Sequence, residues 1–126
     1  MIFLETSLLV NLFVPTAQNH EKALKIMENI EDSQAIISEM VIYETLTVLR
    51  KLKQNDEMIN TVYRKLKEMI VYEDITYYEK ALEDTLINSI GFFDNLSHIV
   101  MQNNNIKQIA SFDKDFDIFE DIVRIH

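Results

Sequence analysis

Short apolar runs alternate along this chain with longer stretches whose apolar residues recur every three or four positions. The first kind of segment suits a buried strand and the second an amphipathic helix. The strand candidates are Met1 to Leu4, Ala35-Ile36-Ile37, a brief Val71-Tyr72, Ile106 to Ala110 and Ile122 to Ile125. Between them, Thr6 to Val14 reads as a helix with Leu8, Leu9, Leu12 and Phe13 on one side, closed by Pro15. Asn19 is positioned to cap a second helix carrying Ala23, Leu24, Met27 and Ile30, and Ser38 a third running from Met40 to about Gln54. Glu39, in the first turn of that third helix, suits its dipole. A fourth follows Asn55 or Asp56, with Met58, Ile59, Val62, Tyr63, Leu66, Met69 and Ile70 at helical spacing. Thr76 is read as the cap of a fifth, Gly91 precedes a sixth over Phe92 to Asn103, and Phe116 to Phe119 forms a helical turn. Strands alternating with helices predict an α/β domain with a parallel sheet covered on both faces. With one Gly and one Pro in the chain, turns must be built from Asn, Asp and Ser.

A length of 126 residues suits one domain, 1–126, and a hydrophobic share of 48% is enough to give it a core. Cysteine is absent, which removes disulfides, thiolate metal sites and cysteine nucleophiles. The apolar start has no basic segment before it and meets an acid at position 5, so it reads as neither signal peptide nor membrane span. A soluble, cytoplasmic protein is expected. The net charge of −9, from 12 basic and 21 acidic side chains, speaks against passive nucleic-acid binding through a basic surface. It is compatible with an enzyme whose acids collect cations that then meet a phosphate, and with a basic protein partner.

Most acids lie in mixed, solvated stretches such as Glu28 to Asp32, but four do not. Glu5 directly follows the first strand; Glu44 is the only charge between Met40 and Leu49; Asp94 is the only charge from Ile87 to Ile99 with His98 neutral; Asp113 follows the fourth strand after Ser111-Phe112. An ionised carboxylate in apolar surroundings is costly unless paired or metal-bound, and no Lys or Arg lies within a helical turn of Glu5, Glu44 or Asp94. In open parallel sheets, binding groups gather beyond the carboxyl ends of the strands, which brings Glu5 and Asp113 to one edge. Oxygen ligands without cysteine select Mg²⁺ or Mn²⁺ over Zn²⁺. Such a cation activates water and polarises a phosphoryl oxygen, so phosphodiester hydrolysis is the chemistry these residues suit.

Four segments, in order, carry a resemblance to a known family. They are Ile2-Phe3-Leu4-Glu5-Thr6-Ser7-Leu8-Leu9-Val10, followed by His20-Glu21-Lys22-Ala23; Ser38-Glu39-Met40-Val41-Ile42-Tyr43-Glu44-Thr45-Leu46; Phe92-Phe93-Asp94; and Ile109-Ala110-Ser111-Phe112-Asp113-Lys114-Asp115-Phe116-Asp117. The chain resembles PIN-domain ribonucleases, specifically the VapC-type toxins of prokaryotic toxin–antitoxin pairs. The resemblance implies a three-layer α/β/α fold with a short, mainly parallel sheet, and a Mg²⁺- or Mn²⁺-dependent endoribonuclease. It also implies a homodimer and a small VapB-type antitoxin partner. The family's acids fall on Glu5, Glu44, Asp94 and Asp113, with Glu5, Asp94 and Asp113 expected to hold the metal. Position 5 departs from the pattern, where the family carries Asp; the extra methylene moves the carboxylate outward by roughly a bond length, and Mg²⁺ is strict about geometry. This keeps open a second reading, a PIN-fold binding module with weakened catalysis.

Around these acids, Ser7 and Ser111 are placed to hydrogen-bond ligand carboxylates or metal-bound water. Asp115 and Asp117 are read as a solvated turn, Asn95 as facing solvent, and His20, His98 and His126 as having no catalytic role. A phosphoacceptor signalling domain is excluded by the absence of an acid pair after the first strand.

Overall fold

A computed structural model describes all residues, 1–126. Five strands, β1 (Ile2–Leu4), β2 (Ala35–Ser38), β3 (Ile70–Tyr72), β4 (Gln108–Ala110) and β5 (Val123–Ile125), form one sheet in the order β3-β2-β1-β4-β5. Every pairing is parallel, with Phe3 opposite Ile36 on one side and Ile109 on the other. Six helices, α1 (Thr6–Phe13), α2 (His20–Glu28), α3 (Glu39–Lys51), α4 (Asp56–Lys67), α5 (Tyr78–Asn88) and α6 (Phe92–Asn103), complete the three-layer α/β/α domain. Phe3, Leu4, Ile36, Ile37, Ile109 and Ala110 are fully buried in the strands, and Leu8, Leu9, Ile42, Leu49 and Leu66 meet them from the helices. Each such aliphatic side chain contributes about 1.5–3 kcal/mol by leaving water. No helix is long and apolar enough to cross a membrane.

The strand order reverses around β1, whose neighbours are β2 and β4. That is where a parallel α/β sheet opens a crevice beyond its strand ends. β1 leads to Glu5, β4 leads through Ser111 and Phe112 to Asp113, and β2 leads into α3 with Glu44.

Several local expectations are corrected. Ser38 and Asn19 stand at helix N-cap positions but make no side-chain cap bond. Helix α3 is capped from a distance instead: Asp74, 1% exposed, accepts from the Met40 amide at 2.9 Å. The hydroxyl of Ser38 is buried without a partner. Thr76 is not a cap either, because a 3₁₀ turn over Ile75–Tyr77 feeds α5 and Tyr77 holds the N-cap position. Asn55 does cap its helix, accepting from Met58 at 2.8 Å. The lone glycine is not the left-handed residue of the α5–α6 corner. Ser89 takes that conformation at φ 62°, as do Lys53 and Asn105 elsewhere, while Gly91 keeps an ordinary extended backbone.

Candidate metal centre

Glu5, Glu44, Asp94 and Asp113 all line one cleft of about 480 Å³, in which no lysine, arginine or histidine takes part. Each is delivered by a different element. Glu5 directly follows β1 and serves as the N-cap of α1, and it is 5% exposed. Its Oε2 accepts from the Ser7 amide at 3.0 Å, the Ser7 hydroxyl at 2.5 Å and the Ser111 hydroxyl at 2.6 Å. Burial pushes its carboxyl above the ordinary range, opposed by the Ser111 and Ser7 bonds. Glu44 points from α3 to accept from the hydroxyl of Thr6 in the first turn of α1. It too is raised, first by burial and further by Asp113, against the Thr6 bond.

Asp94 sits in the first turn of α6, and its carboxyl is pushed up to about 8. Burial is the largest cause, followed by the charges of Asp113, Glu5, Glu44 and Asp115. Without a cation the cluster relieves its own repulsion by keeping a proton near neutral pH. Asp113 caps the 3₁₀ turn over Lys114–Ile118 by accepting from the Asp115 amide at 2.9 Å. That turn brings Asp115 back beside it, so Asp94, Asp113 and Asp115 each offer an oxygen within 4.8 Å of the others. The trio at ligand spacing therefore contains Asp115, and Glu5 and Glu44 line the cleft outside it. Asp115 is exposed, as a solvated turn implies, and its two-residue spacing from Asp113, the spacing of an Asx turn, also brings it within reach of the other two acids.

The remaining side chains sort clearly. Ser7 and Ser111 both hydrogen-bond Glu5, and Ser111 also accepts from the Asp113 amide at 3.0 Å. Asp117 forks with Arg124 and lies outside the trio. Glu39 lies 3.7 Å from Lys67. His20 uses Nδ1 on the Asn11 carbonyl at 2.8 Å, tying α2 to α1. His98 stacks on Phe119 and holds Asp121 at 2.7 Å, away from the residues lining the cleft. Asn95 does not face solvent. It is 1% exposed, exchanges amide bonds with Asn88, and reaches the Thr85 hydroxyl and the Ile90 carbonyl at 3.1 Å each. It pins the Ser89 corner immediately before Asp94. Thr6, which orients Glu44, was not singled out from sequence; its place in the turn after the first acid was the available signal.

A short parallel sheet with a cleft that gathers four carboxylates at the ends of its central strands defines an α/β/α domain built around an acidic site. The chain belongs to the PIN-domain family, whose model, described as PIN domain, matches residues 2–121. Among solved structures, it is similar to VapC20 of Mycobacterium tuberculosis, described as a sarcin–ricin-loop-cleaving toxin. That match has 23% identity and a TM-score of 0.86, covering 99% of this chain and 100% of the other. A toxin–antitoxin complex from Klebsiella pneumoniae matches at 14% identity and a TM-score of 0.74, with 98% and 96% covered. VapBC2 of Rickettsia felis, bound to a promoter DNA fragment, matches at 18% and 0.63, with 99% and 98% covered. At these identities the likeness establishes a shared fold. No curated protein matches the chain by sequence.

Proposed function

We propose that this protein is a divalent-metal-dependent endoribonuclease, the cytoplasmic toxin of a VapBC-type pair, cutting RNA phosphodiesters in the acidic cleft. The observation that carries the reading is the convergence of Glu5, Glu44, Asp94 and Asp113 on one cleft without a basic residue. The donor set fits a hard cation: every candidate ligand is a carboxylate oxygen, three are at ligand spacing, and burial together with the neighbouring acids holds a proton on Asp94. A Mg²⁺ or Mn²⁺ ion bound there supplies charge neutralisation for the phosphoryl oxygens and a lowered pKa for the attacking water.

The chain's own residues do the rest. Asp94, Asp113 and either Glu5 or Asp115 would hold the ion, and Asp94 would give up its proton on binding it. Glu44, oriented by Thr6 and raised above the ordinary carboxylate range, is suited to take the proton from the attacking water. Ser7 and Ser111 fix the Glu5 carboxylate, so its geometry needs no reorganisation at the moment of reaction. The net charge of −9 suits a small basic antitoxin segment over the cleft, and a homodimer completes the assembly.

A second reading, a binding module with weakened catalysis, is favoured by one observation. Oε2 of Glu5 already accepts three hydrogen bonds, which leaves Oε1 as the oxygen free to ligate. Cleavage of a sarcin–ricin-loop RNA, a tRNA and an unstructured RNA with Mn²⁺, by the parent and by Asp94→Asn, separates the two. The enzyme reading expects at least one RNA to be cut by the parent and none by the variant. Equal cutting by both proteins refutes the site, and no cutting by the parent with intact partner binding supports the module.

A further inference from the structure

Behind the acidic cleft lies a cation that the proposed chemistry does not use. Arg124 is on β5, at the edge of the sheet, and its side chain is only 8% exposed. Its Nε donates to Asp117 Oδ1 at 2.8 Å and its Nη2 to Asp117 Oδ2 at 2.9 Å, a two-point fork on the turn that follows Asp113. Its Nη1 donates to the Ser111 carbonyl at 3.2 Å, on the other side of the same turn. The guanidinium therefore grips residues 111 and 117, and Asp113 and Asp115 lie between them. Ser111 passes the constraint on, because its hydroxyl donates to Glu5 and accepts from the Asp113 amide. Asp117 and then Asp113 raise Arg124 above the ordinary arginine range, so Asp113 is within electrostatic reach of it.

We propose that Arg124 is a positioning residue for the metal centre: by bracing Ser111 and Asp117 it sets the spacing of the Asp113 and Asp115 carboxylates against Asp94. The inference rests on the metal-dependent reading above. Its sign separates it from plain electrostatics. A positive charge beside an acidic cluster opposes cation binding, so removing the charge alone tightens binding. Removing a brace loosens the ligand geometry, and the loss of such outer contacts weakens metal affinity by about 10- to 100-fold.

The experiment is calorimetric titration of Mn²⁺ into the full-length parent, Arg124→Gln and Arg124→Lys, with thermal unfolding of each without metal. Arg124→Gln is expected to bind about tenfold more weakly or worse. Arg124→Lys, which keeps the charge but presents all its donors from one nitrogen and has no fork to span Asp117 and Ser111, is expected to weaken with it. Single-turnover RNA cleavage should show the loss in the Mn²⁺ concentration needed for half-maximal rate, recovered at saturating metal. Binding by Arg124→Gln as tight as the parent's or tighter overturns the inference and leaves the metal site standing. Full recovery in Arg124→Lys overturns it too, because a single ammonium that cannot span Ser111 and Asp117 would then suffice. If Arg124→Gln does not fold, Arg124→Lys alone decides. A parent that binds no Mn²⁺ overturns the underlying reading and the inference together.

Discussion

Removing one carboxylate from the cluster should make the metal-free protein less sensitive to rising pH and at the same time weaken its response to metal. In Asp94→Asn the amide cannot ionise, whereas Asp94 itself changes from about 8 in the folded protein to an ordinary value of 3.8 in the unfolded chain. Between those values the folded state holds a proton that the unfolded chain has lost. Stability therefore falls as pH rises through this window, is fully present below pH 4 and is lost by about pH 8. One proton gives at most about 1.4 kcal/mol per pH unit, and partial exposure with mutual adjustment among the acids reduces this to about half. From pH 5 to pH 7.5 the parent should lose on the order of 2 kcal/mol more than the variant. Urea unfolding in EDTA across that range measures it. At a hundred times the parent's dissociation constant, Mn²⁺ should then stabilise the parent by about 2.7 kcal/mol and the variant by about 1.4 kcal/mol or less. Parallel pH profiles for the two proteins in EDTA would refute the electrostatic account of the cluster.

Other consequences can be checked separately. Mn²⁺ affinity should rise with pH up to about 8, where Asp94 loses its proton, with a slope of about tenfold per unit below that value, and level off above it; titrations in buffers of different ionisation heat count the proton released. Glu5→Asp is expected to maintain or raise the Mn²⁺-dependent cleavage rate, because the shorter acid restores the family's side chain; a rate lost below a tenth of the parent's would show that the Ser7 and Ser111 bonds are tuned to the longer one. Asn95→Ala orphans half-buried partners in Thr85, Asn88 and the Ile90 carbonyl, and should cost about 1–2 kcal/mol in denaturant unfolding; a cost under about 0.5 kcal/mol would mean that the α5–α6 corner is held by other contacts.

Much of the architecture could be read from the chain because its strands carry continuous apolar runs. Ile36-Ile37 and Ile109-Ala110 are buried on both faces, and that pattern belongs to a parallel sheet. Glu5, Glu44 and Asp94 could be read for the same reason in reverse, as isolated charges in apolar stretches, and Asp113 by its place just after the fourth strand. Less legible was anything decided between distant segments. Ser38 looked like a helix cap, yet Asp74 takes the Met40 amide from 34 residues away. Asn95 looked solvent-facing because its neighbours in sequence say nothing of the left-handed Ser89 that folds Thr85, Asn88 and Ile90 around it. Asp115 gave only its spacing from Asp113, and whether that turn faces Asp94 depends on how β4 and β5 place it. Arg124 carried no local signal, since both of its partners lie across the turn from β5.

The central claim is that these carboxylates form a cation site, and a calorimetric titration of Mn²⁺ into the parent and Asp94→Asn at pH 7.5 addresses it most directly. The account predicts saturable binding with proton release in the parent and a loss of at least about tenfold in affinity in the variant. No binding by the parent at millimolar Mn²⁺, or equal binding by the two proteins, would contradict it.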